Sequence, residues 1–129
     1  DLAMLYAKIE TMGLKANANA FGFDLAGFHE VQFTEYDADV SGTYGWHDDL
    51  NWTKNTPFDR KMSMVIQLSS KDDYTGGKLE FKHDPLPSGI FENQGDVVFF
   101  PSFNTHRVTP VKLGKRHSLV TWFVGPKFR

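Results

Sequence analysis

Two residues near the middle of the chain have the types and the spacing of metal ligands. His47 and Asp49 are separated by one residue in the segment Trp46-His47-Asp48-Asp49. On an extended strand, side chains at positions i and i+2 project from the same face, so His47 and Asp49 would lie side by side and Asp48 would point away. Two histidines and one carboxylate on one face leave open positions on a metal, as in non-haem Fe(II) oxygenases. The pair alone is a weak signal that a solvated turn after a strand explains better, so a metal site requires a third ligand.

The third ligand must come from a distant strand, and the remaining histidines are the candidates. Of the five histidines, His106 follows the most apolar predicted strand and a Pro-Ser-Phe-Asn-Thr turn. His83 lies beside an Asp-Pro pair in a polar loop, where we expect it to be exposed. His29 lies in a Gly-Phe-His-Glu segment, where a surface role is expected. We therefore predict that His106 completes the site.

A second chemical feature lies in the segment Gly114-Lys115-Arg116-His117-Ser118. Arg116 and Ser118 share strand parity and can therefore face one pocket. A guanidinium fork with a hydroxyl beside it is suited to binding a small carboxylate. Lys115 and His117 have the opposite parity and are expected to point outward. The alternative for Arg116 is an ordinary surface ion pair.

One helix and a series of short strands must position these side chains. Leu2, Leu5, Ile9 and Met12 recur at helical spacing and Gly13 follows them, which predicts an amphipathic helix over residues 2–12. Beyond Gly27 the pattern becomes that of short strands separated by turn residues. The predicted strands are 31–36, 44–47, 62–68, 78–81, 97–100, 106–109 and 116–124. We expect a single domain over residues 1–129, mainly β, with a sandwich or jelly-roll core.

Composition and charge exclude several other kinds of chemistry. The absence of cysteine excludes disulfides, zinc ribbons, thiol nucleophiles and iron–sulfur clusters, so any metal is held by His, Asp or Glu. A net charge of −2 disfavours binding to nucleic acid through its phosphates. No apolar run approaches the ~18 residues of a membrane-spanning helix, and no signal peptide is visible, so a cytoplasmic location is expected. The chain begins at Asp1 rather than at a methionine, which leaves open whether residues precede it.

The combined pattern resembles a known enzyme family. The order His47-x-Asp49, then His106, then Arg116-x-Ser118 is similar to the signature of the Fe(II)/2-oxoglutarate-dependent dioxygenases, and most of all to their prolyl 4-hydroxylase-like branch. The sequence that flanks these motifs supports the resemblance over about residues 30–125. The supporting segments are 33–36, 60–68, 73–81, 95–102 and 106–111.

The resemblance implies a double-stranded β-helix, which is a jelly roll, and a role for each matching residue. His47, Asp49 and His106 would hold Fe(II), and Arg116 would pair with the distal carboxylate of 2-oxoglutarate with help from Ser118. Two further positions are described by their matches. Tyr36 matches a tyrosine that reaches the cosubstrate in relatives, and Gln67 falls near a position where some relatives place a second tyrosine. Independently of the resemblance, Asn51 and Trp52 lie just past Asp49 and are candidates for a substrate entrance.

The implied activity is hydroxylation of a C–H bond with release of succinate and CO2. It would use Fe(II), O2 and 2-oxoglutarate, with ascorbate as a candidate reductant. The substrate would be a protein or peptide, with peptidyl proline among the candidates, or a small molecule. A carboxylate at Asp49 favours hydroxylation, because the related halogenases vacate this position for halide.

Two other classes of protein stay open at this point. One is a cupin-like metal-dependent enzyme that catalyses isomerisation or hydrolysis, although such sites usually contain more histidines and do not need the Arg116-x-Ser118 pair. The other is a non-catalytic jelly-roll binding protein, which would leave the spacing of the metal ligands unexplained. Production of succinate from 2-oxoglutarate distinguishes the three classes.

Overall fold

The structure, a computed structural model, describes residues 2–40, 42–50, 57–83, 85–87 and 89–128. The side chains of Leu2 and His29 lie outside this description, as do Asn51 and Trp52, the candidates for a substrate entrance. No helix in the described ranges is both long enough and apolar enough to cross a bilayer.

The N-terminal helix is longer than the sequence pattern predicts. Helix α1 spans Leu2–Ala16 and continues into a π-helical turn, Asn17–Phe21. The prediction that Gly13 ends the helix is wrong, because this glycine instead makes room for a ring: a Cβ there would lie 2.0 Å from the Phe123 side chain. The helical segment ends at Gly22, which has the left-handed conformation typical of a helix C-terminus (φ 68°).

Eight strands follow the helix: the seven predicted strands and one strand that was not predicted. They are β1 (Gly27–Asp37), β2 (Tyr44–His47), β3 (Phe58–Gln67), β4 (Tyr74–Gly76), β5 (Leu79–Phe81), β6 (Val97–Pro101), β7 (His106–Val108) and β8 (Val111–Pro126). Of the predicted strands, β1, β3 and β8 begin four or five residues earlier than predicted. A short 3-10 turn, Ala38–Val40, follows β1. The sequence pattern indicated a turn where β4 lies, because its residues belong to the polar cluster 71–77.

The strands form two antiparallel sheets. The larger has the order β1-β8-β3-β6, with β4 also paired to β8, and the smaller has the order β2-β7-β5. Together with its structural neighbours, described below, this arrangement confirms the predicted jelly roll. The central strand β8 places Arg116 opposite Tyr36 of β1 and Ser118 opposite Gln67 of β3. In the smaller sheet, His47 pairs with His106.

Two clusters of apolar side chains stabilise the structure on either side of the larger sheet. Ile9 of α1 packs with Met62, Met64 and Phe123 on the outer face. Between the sheets, Val65 packs with Phe81 and Phe100. Strand β3 supplies both faces because its side chains alternate. The inward positions of the strand therefore carry Ser63, Val65 and Gln67, and two of these are polar residues fully removed from solvent.

Candidate metal and cosubstrate site

The structure brings His47, Asp49 and His106 together. One potential ligand atom from each residue lies within 4.8 Å of the others. Asp49 Oδ1 faces both imidazoles, at 3.5 Å from His47 Nε2 and 3.4 Å from His106 Nε2. Two imidazoles and one carboxylate converging on one point form the donor set of a facial triad. His83, the alternative ligand, is exposed, as expected.

Asp49 reaches this point by a route that differs from the predicted strand. Strand β2 ends at His47, so Asp48 and Asp49 lie just beyond it. The Asp49 amide donates to the carbonyl of Ser102 (2.9 Å), which fixes the backbone there. The expected orientations nevertheless occur: Asp48 is exposed, whereas Asp49 is 9% exposed.

Backbone carbonyls orient both histidine rings in the same way. His47 Nδ1 lies 2.7 Å from the carbonyl oxygen of Gly45, and His106 Nδ1 lies 2.9 Å from that of Asn104. With Nδ1 donating to a carbonyl, the lone pair of the neutral ring is on Nε2, the atom that faces Asp49. Such bonds fix the tautomer and the ring orientation of metal-ligating histidines. The donor set therefore fits an iron ion.

The surroundings of Asp49 favour its ionised form. Burial alone would raise the pKa of this carboxyl group, but hydrogen bonds from His106 and His47 in their protonated forms, the positive charge of His106 and the hydrogen bond from Ser63 hold the pKa well below its usual value. Burial opposes protonation of His47, but the bonds to Asp49 and to the Gly45 carbonyl dominate and raise the pKa of the ring. A metal cation between these groups would interact with the carboxylate in place of the ring protons.

Two buried serines hold the second oxygen of Asp49. Ser63 Oγ donates to Asp49 Oδ2 (2.5 Å), and Ser102 Oγ lies 3.0 Å from Ser63 Oγ. Because Ser63 uses its proton on the carboxylate, Ser102 donates to Ser63. Both serines are 0% exposed. The chain of hydrogen bonds leaves Oδ1 as the oxygen available to a metal.

We expect Ser63→Ala to weaken metal binding by about tenfold, since loss of a group that orients a ligand typically has effects of this size. The measurement is the affinity of the protein for Mn(II) by calorimetry. Ser118→Ala is the matched control, because Ser118 is 1% exposed but has no hydrogen bond to Asp49 among those described. Equal affinities for the wild type and Ser63→Ala, or an equal loss in both variants, would contradict this role of Ser63.

Arg116 is a buried cation without a carboxylate partner among the described residues. Its side chain is 2% exposed, and its Nε donates to Gln67 Oε1 (3.2 Å). Ser118, 1% exposed, faces the same side, whereas Lys115 is exposed and pairs with Glu35 at 3.5 Å. The strand parity expected for this segment therefore holds in the structure. A buried guanidinium of this kind is a ready receptor for an anion.

Tyr36 lies beside the same guanidinium. The Arg116 Cζ atom is 5.5 Å from the centroid of the Tyr36 ring, within the range of a cation–π contact. Burial raises the pKa of the phenol, although the charge of Arg116 opposes the change, so the hydroxyl stays protonated and can donate a hydrogen bond. Its position agrees with the prediction that Tyr36 reaches the cosubstrate, and that role stays a prediction.

A cavity of about 430 Å³ joins the two parts of the site. Its walls include all three predicted metal ligands and also Tyr36, Arg116 and Ser118. The volume is within the usual range for small-molecule sites. A dicarboxylate that chelates a metal at one end requires a metal site and, for its other carboxylate, a cation. The predicted metal ligands and Arg116 offer both in one cavity.

Sequence reasoning missed a second pair of polar side chains in this cavity. The Arg60 guanidinium lies over the Trp122 ring, with Cζ 3.8 Å from the centroid, and both residues line the cavity. Arg60 Nε and Trp122 Nε1 are buried without a hydrogen-bond partner in the described part of the chain. Trp122 could have been found from the sequence, because it has the same strand parity in β8 as Arg116 and Ser118 and therefore faces the same side.

Comparisons with known proteins agree with this geometry. The family model of the 2OG-Fe(II) oxygenase superfamily matches residues 31–124, so the chain belongs to this superfamily. Membership assigns it Fe(II) and 2-oxoglutarate as cofactor and cosubstrate, as the sequence predicted. Ascorbate stays a prediction.

The similar proteins include hydroxylases from several bacteria. The chain is 36% identical to a PKHD-type hydroxylase of Alteromonas mediterranea over 64% of its own length and 38% of the relative's. For a PKHD-type hydroxylase of Colwellia psychrerythraea the identity is 32%, over 71% of this chain and 42% of the relative. The chain thus spans about two fifths of the length of these relatives.

Solved structures with the same fold include prolyl hydroxylases. A prolyl-4-hydroxylase from Pseudomonas putida matches with a TM-score of 0.73 and 25% identity, over 98% of this chain and 66% of that one. A viral collagen prolyl hydroxylase from Paramecium Bursaria Chlorella virus-1 matches with a TM-score of 0.68 and 18% identity, over 91% of this chain and 66% of that one. The second likeness concerns the fold alone. The chain is therefore prolyl 4-hydroxylase-like within its superfamily.

Proposed function

We propose that this chain forms the catalytic core of an Fe(II)- and 2-oxoglutarate-dependent dioxygenase that hydroxylates a C–H bond. The observation that carries the proposal is that one cavity is lined both by the His47, Asp49 and His106 cluster and by Arg116, a buried guanidinium with no carboxylate partner among the described residues. When bound, iron and 2-oxoglutarate supply the oxidation: substrate, O2 and 2-oxoglutarate become hydroxylated product, succinate and CO2. The hydroxyl group formed takes one oxygen atom of O2, and succinate takes the other.

The protein's own residues bind and orient the reactants. His47, Asp49 and His106 would ligate iron through two imidazole Nε2 atoms and one carboxylate oxygen. Arg116 would form charge-assisted hydrogen bonds with the distal carboxylate of 2-oxoglutarate, and Ser118 and Tyr36 would donate to it through their hydroxyls. The surrounding walls, which include Val65, exclude water and so strengthen the interaction with the anion.

We further propose that the substrate presents an amide carbonyl, as a peptide does. Arg60 and Trp122 line the cavity that contains the metal cluster, and Arg60 Nε and Trp122 Nε1 are buried donors without a hydrogen-bond partner among the described residues. Leaving a buried donor unsatisfied is unfavourable, so these atoms are ready to donate to an acceptor on the substrate. The prolyl-4-hydroxylase name of the Pseudomonas putida neighbour supports a prolyl peptide as the first candidate.

The test is an assay of succinate formed from 2-oxoglutarate by the purified chain with Fe(II), alone and with proline-containing peptides. We expect iron-dependent succinate and, with a true substrate, a product heavier by one oxygen atom in mass spectrometry. Metal-dependent turnover of another kind without succinate would contradict the proposal and favour a cupin-like enzyme. Binding without any turnover would contradict it and favour a non-catalytic jelly roll.

A further inference from the structure

Gln67 is a buried residue in direct contact with Arg116. It is 1% exposed, and its Oε1 accepts a hydrogen bond from Arg116 Nε at 3.2 Å. Its Nε2 donates to Tyr74 Oη (2.6 Å) and to the carbonyl of Ser69 (3.3 Å). Both ends of the amide are therefore engaged, and the side chain links Arg116 to the neighbouring strand and turn.

A second cavity, of about 520 Å³, lies on the other side of this contact. Arg116 and Leu79 line both cavities, whereas Gln67 and Tyr74 line only the second. The guanidinium therefore stands between two spaces, and Gln67 supports it from the side away from the metal cluster. The stem of Arg116 passes close to Gly77, where an added Cβ would lie 3.1 Å from Arg116 Cδ.

We propose that Gln67 is a positioning residue that sets the orientation and depth of Arg116 and thereby the length of the 2-oxo diacid that the site selects. This inference rests on the proposed function. Since Nε is occupied by Gln67, the edge formed by the two terminal nitrogens is left for the carboxylate. Because Gln67 holds the head of Arg116 back from the second cavity, a diacid one methylene longer than 2-oxoglutarate is expected to bind more weakly.

Three variants separate the hydrogen bond from the bulk of the side chain. Gln67→Met keeps the volume but removes the amide acceptor. Gln67→Ala removes both and lets Arg116 withdraw into an existing cavity. Gln94→Ala is the matched control, because Gln94 is exposed. Each protein is loaded with Fe(II) without oxygen and titrated by calorimetry with 2-oxoglutarate and with the six-carbon 2-oxo diacid.

We expect 2-oxoglutarate to bind about fivefold to tenfold more weakly to Gln67→Met and Gln67→Ala, as loss of one hydrogen bond implies. The preference for the five-carbon over the six-carbon acid should persist in Gln67→Met and Gln94→Ala and should fall at least about threefold in Gln67→Ala. Iron affinity and melting temperature serve as independent readouts. If Gln67 had a purely structural role, its replacement would change these two quantities without changing the preference for the five-carbon acid.

The possible failures are distinguishable. If the wild type binds iron but not 2-oxoglutarate, the proposed function fails and this inference fails with it. If the wild type binds 2-oxoglutarate but Gln67→Ala keeps both its affinity and its preference, only the inference is overturned. If Gln67→Ala does not fold, unchanged affinity in Gln67→Met would overturn the positioning role by itself.

Discussion

Replacing His47, Asp49 or His106 with alanine is expected to abolish iron-dependent succinate formation while the fold persists. Each residue supplies one of three donor atoms that lie within 4.8 Å of one another. Two remaining donors cannot hold the ion in the required geometry, so activity should fall by at least about a thousandfold, near the limit of detection. The measurements are succinate production, Fe(II) affinity and the far-UV circular dichroism spectrum of each variant.

Asp48→Ala and His83→Ala are the controls for this experiment. Both residues are exposed, and Asp48 accepts a hydrogen bond only from the amide of Leu50, at 2.9 Å, among the bonds described for it. Both variants should keep most of the iron affinity. Equal losses in Asp48→Ala and Asp49→Ala, or loss of activity in His83→Ala with full activity in His106→Ala, would contradict the assignment of the ligands.

Arg116→Ala should weaken 2-oxoglutarate binding by two to three orders of magnitude with iron still bound. Removing one partner of a buried charge pair costs roughly 3–5 kcal/mol, because the other charge is left without compensation. Arg116 is 2% exposed and, among the interactions described, forms no hydrogen bond or ion pair with the three predicted metal ligands, so its loss should not affect the metal. Anaerobic calorimetry with 2-oxoglutarate, followed by measurement of bound iron, tests both statements.

Two further variants determine whether the fork geometry matters. Arg116→Lys should bind 2-oxoglutarate with intermediate affinity, because a single ammonium replaces a planar fork. Lys115→Ala is the neighbouring control, since Lys115 is exposed and pairs with Glu35 and Asp37 at the surface. A large loss in Lys115→Ala, or undiminished binding in Arg116→Ala, would contradict the cosubstrate assignment.

The sequence pattern was most informative where side chains alternate along strands. The parity of β8 placed Arg116 and Ser118 inside and Lys115 outside, and the structure agrees. A sandwich or jelly roll could be predicted because short apolar runs and turn residues alternate beyond Gly27, and the family resemblance implied the jelly roll in particular. That residues 1–129 form a single domain, and that His47, Asp49 and His106 ligate iron, stay predictions.

Other features depend on contacts between residues far apart in the chain, which a local pattern does not contain. Gly13 was interpreted as the end of the helix, but it lies within α1 because the Phe123 ring occupies the space of a side chain. Strand β4 has a turn-like sequence and is extended because it pairs with β8. The contact of Arg60 with Trp122 likewise joins two strands, β3 and β8, that are far apart in the sequence, so only the structure shows it.

The most direct test of the central claim, that one cavity binds Fe(II) and 2-oxoglutarate together, is an anaerobic absorption spectrum of the wild-type chain. A 2-oxo acid chelated to Fe(II) gives a visible charge-transfer band that neither component gives alone. We predict a saturable band with one equivalent of each component, which disappears in Asp49→Ala and needs far more 2-oxoglutarate in Arg116→Ala. A wild-type protein that binds both components but gives no band, or a band that persists in Asp49→Ala, would contradict the account.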